Sequence, residues 1–395
     1  MVNKTKAFAI EQQYKRELNK YLRCDEDSFF FYWKGRVALY EILRAMGVGE
    51  GDEVLVQGYT CVVVANAIMY LKATPVYVDV DKQTFNMNMD SLEERITEKT
   101  KVIICQNTYG LSSNLERIEQ IAREYSEKYG HAIYTVEDCT HGFGGTYHGK
   151  SNGVSCDASF FSTQWSKPFT TGVGGFSVIH NTDVRAKAKA NQADLVQPGL
   201  KETLELKLMY FIRQYVINDF TYWPMIRLYR WLSRHNLVVG SSSGEEIVGI
   251  EMPEGYLKAQ SAVQMKKGIK SLKKLDAVNQ LRRKNAQVFT EFLKKHGKYY
   301  VDESLHEDHI FIRYPLLVNN REVFRQRAED AKVILGEWFE APVYPADAPL
   351  STWKVDPSTL PAAMDVCGQM VNLPTDEKNV QKVITFLEKY LEFIN

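Results

Sequence analysis

Four short stretches carry residue types that do chemistry when brought together. Lys167 stands in "FFSTQWSKPFTTGVGG", after a run of apolar and hydroxyl residues and before a glycine-rich turn. Most lysines are solvated surface charges, and this setting is unlike theirs. Asp138 ends the apolar run "AIYTVED", where an aspartate ordinarily caps the next turn. Ser162 follows "ASFF", five residues before Lys167. Gly35 and Arg36 open a helical pattern in "YWKGRVALYEIL". Free amides at a helix start bind anions, and a glycine lets a phosphate approach closely. Most such turns bind nothing, so the weight lies in the combination. An amine nucleophile, an acid and an anion site suit a ligand with an electrophilic carbon, a basic ring nitrogen and an anion. Pyridoxal phosphate has all three. Its aldehyde takes a lysine, and an acidic residue keeps its pyridine nitrogen protonated so that the ring withdraws electrons.

These residues need a scaffold that brings strand ends together. The first half of the chain alternates strand and helix patterns. "EVLVQG", "PVYVDVD", "KVIICQN", "AIYTVED", "ASFFST" and "GFSVIH" read as strands. "VALYEILRAMG", "CVVVANAIMYLKA", "MDSLEERITEKT" and "NLERIEQIAREYSEKYG" read as helices between them. Alternation of this kind predicts an open, mostly parallel sheet covered on both faces. Ligands of such sheets bind beyond the carboxyl ends of the strands, and Asp138 and Ser162 fall at such ends. The segment 195–255 differs, being rich in aromatics and arginines and interrupted by Pro224. It reads as two amphipathic helices serving a subunit interface or an active-site cover, with contact to a membrane surface or a lipid-linked substrate the less favoured reading. After it, "SAVQMKKGIKSLKKLDAVNQLRRKNAQVFTEFLKKHG" reads as one long helix, followed by the strand "HIFIRYPLLV", the helix "NREVFRQRAEDAKV" and a final helix in "DEKNVQKVITFLEKYLEFI". The expected division is an N-terminal helical segment (1–25), a large cofactor-binding domain (26–264) and a small C-terminal α/β domain (265–395).

Bulk properties remove other classes. The 395 residues are 45% hydrophobic and 25% charged, an ordinary globular mixture with ample material for a core. Lys+Arg and Asp+Glu both total 49, so net charge offers nucleic acid no attraction. The six cysteines are scattered without a CxxC pair, which reads as reduced thiols in a cytoplasmic protein. The histidines show no metal-ligand spacing. No signal peptide or membrane-spanning run is evident.

At this point the order of the motifs becomes informative. "GVGEGDEVLVQGYTCVVVANAIMYLKATPVYVDVDKQTFNMN", "NTYG", "VEDCTHGFGGTYHGKSNGVSCDASFFS", "SKPFTTGVGG" and "PAAMDVCGQMVNLPT" follow one another as in one known family. The chain resembles the DegT/DnrJ/EryC1/StrS family of pyridoxal-phosphate sugar aminotransferases, of the fold-type-I superfamily. The resemblance implies a large domain with a mostly parallel seven-stranded sheet and a small C-terminal domain. It makes Lys167 the Schiff-base lysine and Asp138 the partner of the pyridine nitrogen. It places His141 near the ring hydroxyl and Ser162, Gly35 and Arg36 at the phosphate. It sets Tyr59, Thr60 and Cys61 around the ring. Arg36 stands where the family has threonine, and Cys61 where many members have a stacking aromatic. The family's asparagine that reaches the partner subunit's phosphate has no clear counterpart. The implied function is transfer of an amino group, from glutamate, to a keto group of a nucleotide-linked sugar, in a homodimer with a shared active site. A cyclitol or other cyclic ketone as acceptor, or a relative that has lost its chemistry, are the alternatives.

Overall fold

The computed structural model describes residues 4–217, 221, 224–225, 227–228, 231–232 and 244–395. Helix α1 (Lys4–Leu22) leads into strand β1 (Phe29–Tyr32) and helix α2 (Gly35–Ala45). Then follow β2 (Glu53–Gln57), the short β3 (Thr60–Cys61), α3 (Val62–Met69), β4 (Thr74–Val78), α4 (Met89–Arg95), β5 (Thr100–Gln106), α5 (Leu115–Tyr129) and β6 (Tyr134–Asp138). A small hairpin, β7 (Thr146–Tyr147) and β8 (Lys150–Ser151), precedes β9 (Ala158–Ser162), β10 (Gly175–Ile179) and α6 (Thr182–Asn191). Seven of these strands form one sheet in the order β1-β10-β9-β6-β5-β2-β4. β4, β2, β5, β6 and β9 run parallel, and β10 opposes both of its neighbours. The mostly parallel seven-stranded sheet is therefore present, with β1 as an edge strand that the sequence reading did not anticipate.

Period-two alternation fills both faces of this sheet. Val54, Val56, Val102 and Ile104 turn into one core, with α2 and α3. Leu55, Ile103 and Cys105 turn into the other, where α5 buries Leu115, Ile118, Ile121 and Ala122. α5 is held at both ends. Asn114 accepts a hydrogen bond from the Arg117 amide at 3.2 Å, and Gly130 closes the helix in the left-handed region at φ 73°.

The start of α2 lies directly on β9 and β10. A Cβ at Gly35 would meet the Cβ of Ser162 at 2.9 Å and the carbonyl oxygen of Phe161 at 3.1 Å. A Cβ at Gly175 would meet the Cα of Gly35 at 2.3 Å. This backbone contact fixes the helix N-terminus beside the carboxyl end of β9. Gly175→Ala must push α2 away, so a loss of about 1–3 kcal/mol is expected, read as a lower melting temperature together with weaker cofactor binding. An unchanged melting temperature would show that α2 is not seated by this contact.

The C-terminal part departs from expectation in a useful way. The single long helix forms as two, Ala262–Leu272 and Leu275–Lys295, broken where the Lys274 amide bonds the Ser271 carbonyl at 3.0 Å. The break has a packing cause. Met265, Ile269 and Leu272 join α1 and the sheet in one core, whereas Ala286, Phe289 and Leu293 join a separate C-terminal core. That second core is built on β11 (Tyr314–Leu317) paired with a later strand, Met370–Leu373, and on the helices Arg321–Asp330 and Val380–Lys389. The expected boundary between 264 and 265 falls inside the helix Ala262–Leu272. The segment from Phe339 to Met370 also leaves the small unit. Its strand β12 (Val343–Tyr344) pairs with β3, and Phe339, Trp353 and Leu360 pack in the first core. The C-terminal segment thereby reaches the carboxyl end of the large sheet.

In the aromatic-rich stretch, the helix α7 (Leu200–Phe211) and the short helix Gly244–Val248 bracket residues that mostly lie outside the described ones. Leu200, Leu204, Leu208 and Phe211 form an exposed apolar stripe on α7. Among the described residues, no helix is long and apolar enough to cross a membrane.

Candidate active site

A cavity of about 150 Å³ opens at the carboxyl ends of the parallel strands. Its walls include Gly35, Arg36, Thr60, Cys61, Asp138, His141, Ser162 and Lys167, eight of the nine residues singled out from the sequence. They arrive from several elements. Asp138 ends β6, and Ser162 ends β9. Lys167 follows in a turn closed by its own amide bonding the Gln164 carbonyl at 3.1 Å. Gly35 and Arg36 begin α2, and Cys61 ends β3.

The amine and the acid are electrostatically matched. Burial lowers the Lys167 amine below an ordinary lysine, while Cys61 and Asp138 pull it back up. Burial raises the Asp138 carboxyl, against hydrogen bonds from Thr140 and the charge of Lys167. The Thr140 amide donates to Asp138 at 2.9 Å and aims the carboxylate. Behind Asp138, the buried Glu137 accepts from Asn107 Nδ2 at 2.8 Å and from the Gly153 amide at 2.7 Å, which locks the end of β6. A lysine freed of its proton more readily than usual is a better nucleophile and base.

His141 is buried, and burial together with Lys167 and Arg313 drives its imidazole well below the usual range, so it is neutral. Its Nδ1 is buried without a hydrogen-bond partner in a residue that lines the cavity. An orphaned buried polar atom of this kind calls for a ligand. Lys34 occupies the N-cap of α2, and its side chain makes no capping bond. The helix start is therefore open to an anion. Burial, with Arg36 alongside, brings the Lys34 amine down to about 8. The hydroxyl of Ser162, close to Gly35, makes no hydrogen bond among the described residues. The donor set, the glycine cradle and the orphaned imidazole nitrogen fit a flat pyridine ring carrying an aldehyde, a hydroxyl and a phosphate.

Two expected residues behave differently. Tyr59 does not reach the cavity. It is fully buried, its hydroxyl lies 2.5 Å from that of Tyr109, and it accepts from the Phe339 amide at 3.1 Å. It braces the C-terminal segment from behind, while its neighbours Thr60 and Cys61 face the cavity. Arg36 lines the cavity, but its guanidinium forms a buried ion pair with Glu246. The guanidinium is thus already engaged, and the Gly35–Arg36 backbone is the part positioned for a phosphate. Glu246 comes from the helix Gly244–Val248, whose Ile247 carbonyl also accepts from the Asp347 amide at 2.7 Å and whose Glu246 carbonyl accepts from Asn66 at 2.8 Å. Trp165 packs edge-on against Tyr210 of α7 at 5.6 Å, under Arg213, and joins the aromatic-rich stretch to the lysine turn.

Sequence reasoning missed the fourth wall. Trp338, Phe339, Tyr344 and Pro345 line the cavity from the C-terminal segment. Nothing local in "GEWFEAPVYP" marks these residues, because their role arises from the pairing of β12 with β3. Gln106, which also lines the cavity, ends β5 and was accessible to the same strand-end rule that found Asp138.

The model of the DegT/DnrJ/EryC1/StrS aminotransferase family matches residues 10–205 and 238–388. A GDP-perosamine synthase of Escherichia coli O157:H7 is 40% identical over 147 residues, 37% of this chain and 39% of that protein. An L-glutamine:scyllo-inosose aminotransferase of Streptomyces griseus is 37% identical over 160 residues, 40% of this chain and 36% of that protein. The chain thus spans about two fifths of the length of these curated relatives. Among solved structures, an aminotransferase from Psychrobacter cryohalolentis superposes with a TM-score of 0.72 at 20% identity, over 99% of this chain and 93% of the other. A Streptococcus pneumoniae structure in PLP form gives 0.69 at 21% identity, over 96% of this chain and 90% of the other. At such identities the likeness establishes the fold.

Proposed function

Because the chain belongs to the DegT/DnrJ/EryC1/StrS aminotransferase family, we propose that it is a pyridoxal-phosphate-dependent aminotransferase that moves an amino group from glutamate to a keto group of a nucleotide-linked sugar. The observation that carries the reading is the convergence of Lys167 and Asp138 on one cavity at the sheet's carboxyl edge. When bound, pyridoxal phosphate supplies an electron sink for a carbanion at the substrate's amine-bearing carbon. The chain's residues do the rest. Lys167 Nζ would hold the cofactor's aldehyde carbon and move the substrate's proton. Asp138 would keep a proton at the ring nitrogen. The neutral His141 would serve the ring hydroxyl, and the α2 amides with Ser162 would hold the phosphate. The C-terminal wall shields the reacting atoms from water.

The nucleotide-sugar reading draws on the GDP-perosamine synthase relatives, two of which are 40% and 37% identical. A second reading, a cyclitol ketone as acceptor, is favoured by the scyllo-inosose aminotransferase relative. The exposed apolar stripe of α7 supports a homodimer in which the aromatic-rich stretch serves the interface. The scattered free cysteines support a cytoplasmic setting.

Two half-reactions test the proposal. Glutamate should convert the bound cofactor to its amine form within one turnover. That form should then be returned by a nucleotide-linked 4-keto or 3-keto hexose faster than by scyllo-inosose. Preference for scyllo-inosose would select the cyclitol reading. Failure of glutamate and glutamine alike to change the cofactor would point to a relative without the chemistry.

A further inference from the structure

Within the aromatic wall from the C-terminal segment, Trp338 is set apart by its position. Trp338 lines the cavity, and the Lys167 Nζ lies 4.7 Å from the centroid of its ring. Its indole stacks on His141 at 4.4 Å between centroids and 21° between planes. The backbone beneath is clamped. The Trp338 amide donates to Asn372 Oδ1 at 2.9 Å, and its carbonyl accepts from Asn372 Nδ2 at 2.7 Å and from the Tyr109 hydroxyl. Asn372 is itself fixed by backbone bonds in both directions with Gly336. A side chain held this firmly at a cavity is a surface with a defined shape.

We infer that Trp338 is the platform against which the ring of the amino-group acceptor lies, and so a specificity-determining residue of this site. The inference rests on the aminotransferase reading above. Any carbon that exchanges nitrogen at this site must approach within about 3–3.5 Å of the group that moves its proton. That group is Lys167 Nζ, which stands over the indole, so the acceptor's ring is brought against the same aromatic surface. The negative face of an indole attracts cations and the weakly positive C–H edges of a saturated ring. A polyhydroxylated six-membered ring offers such C–H groups on one side and hydroxyls on the other. The indole Nε1–H has no hydrogen-bond partner among the described residues and can donate to one of those hydroxyls. On the β3 side of the cavity, Cys61 offers only a small side chain. An acyclic donor such as glutamate has no ring to stack, so its half-reaction depends less on the indole.

The test uses the holoenzyme with Trp338→Phe and Trp338→Leu, with glutamate as donor and with a nucleotide-linked 4-keto hexose, a nucleotide-linked 3-keto hexose and scyllo-inosose as acceptor probes. Cofactor-induced quenching of tryptophan fluorescence should fall by more than half in both variants, since Trp338 is the indole beside Lys167. Acceptor kcat/KM should fall at least tenfold more than the donor half-reaction rate in Trp338→Leu, mainly through KM. Trp338→Phe should recover much of the difference, because an aromatic face is worth about tenfold. Equal losses in the two half-reactions, or unchanged quenching, would overturn the platform and leave the aminotransferase reading standing. A wild-type protein inert toward glutamate and glutamine would instead overturn that reading, and this one with it.

Discussion

Lys167→Ala is expected to abolish covalent attachment of pyridoxal phosphate and to reduce turnover by roughly 10⁴-fold or more. The estimate combines the loss of a nucleophile with that of a general acid–base group, the latter alone worth about 10²–10⁴. The fold should survive. Lys167 lies in a turn whose backbone bonds run through the main chain, and it makes no ion pair among the described residues. Replacing a partly buried amine by a methyl group also removes a desolvation cost. The variant should therefore melt close to wild type and bind the cofactor reversibly, through Asp138, His141, Ser162 and the start of α2. Turnover within tenfold of wild type, measured with glutamate and an accepted ketone, would remove Lys167 from the chemistry.

Asp138→Asn gives the second large effect. An amide has no negative charge to hold a proton at the ring nitrogen, so the electron sink weakens. Removing one preorganised stabilising group typically costs about 10²–10³ in kcat, and a loss of that order is expected, concentrated in the proton-transfer step. The variant also makes a pH prediction with a definite sign. Burial depresses Lys167, and Asp138 opposes that depression. Without the carboxylate, the amine should lose its proton at a lower pH than in wild type. The pH midpoint for attachment of added pyridoxal phosphate to apo-protein should consequently move down, even as turnover falls. A midpoint that moves up, or a variant with wild-type kcat, would show that Asp138 does not face the amine and the ring.

Asp138 was legible in the sequence for a physical reason. A buried parallel strand is apolar along its length, so a charge at its carboxyl end stands out, as Asp138 does in "AIYTVED". The sheet was legible on the same grounds, because both of its faces are packed and its strands read as short apolar runs. The edge strand β1, "FFFY", was missed. It sits between helical patterns and gains its role only by pairing with β10. The long helix after 261 was read as continuous because its periodicity is unbroken. Its division reflects two cores competing for one sequence, which local spacing does not record. Tyr59 was drawn into the site by its neighbours Thr60 and Cys61. The structure turns it the other way, toward Tyr109 and Phe339. Trp338 and Glu246 lie far from Lys167 in sequence and depend on long-range pairing, so no motif pointed to them. The site thus divides in two. The sheet-end residues follow from strand patterns, and the covering residues follow from tertiary structure.

The most direct test of the account is chemical. Wild-type protein is incubated with pyridoxal phosphate, reduced with borohydride, digested and mapped by mass spectrometry. The account predicts that the stable cofactor adduct falls on Lys167, in the peptide containing "STQWSKPF". An adduct on Lys34 or any other lysine in its place, or no stable adduct at all, would contradict it.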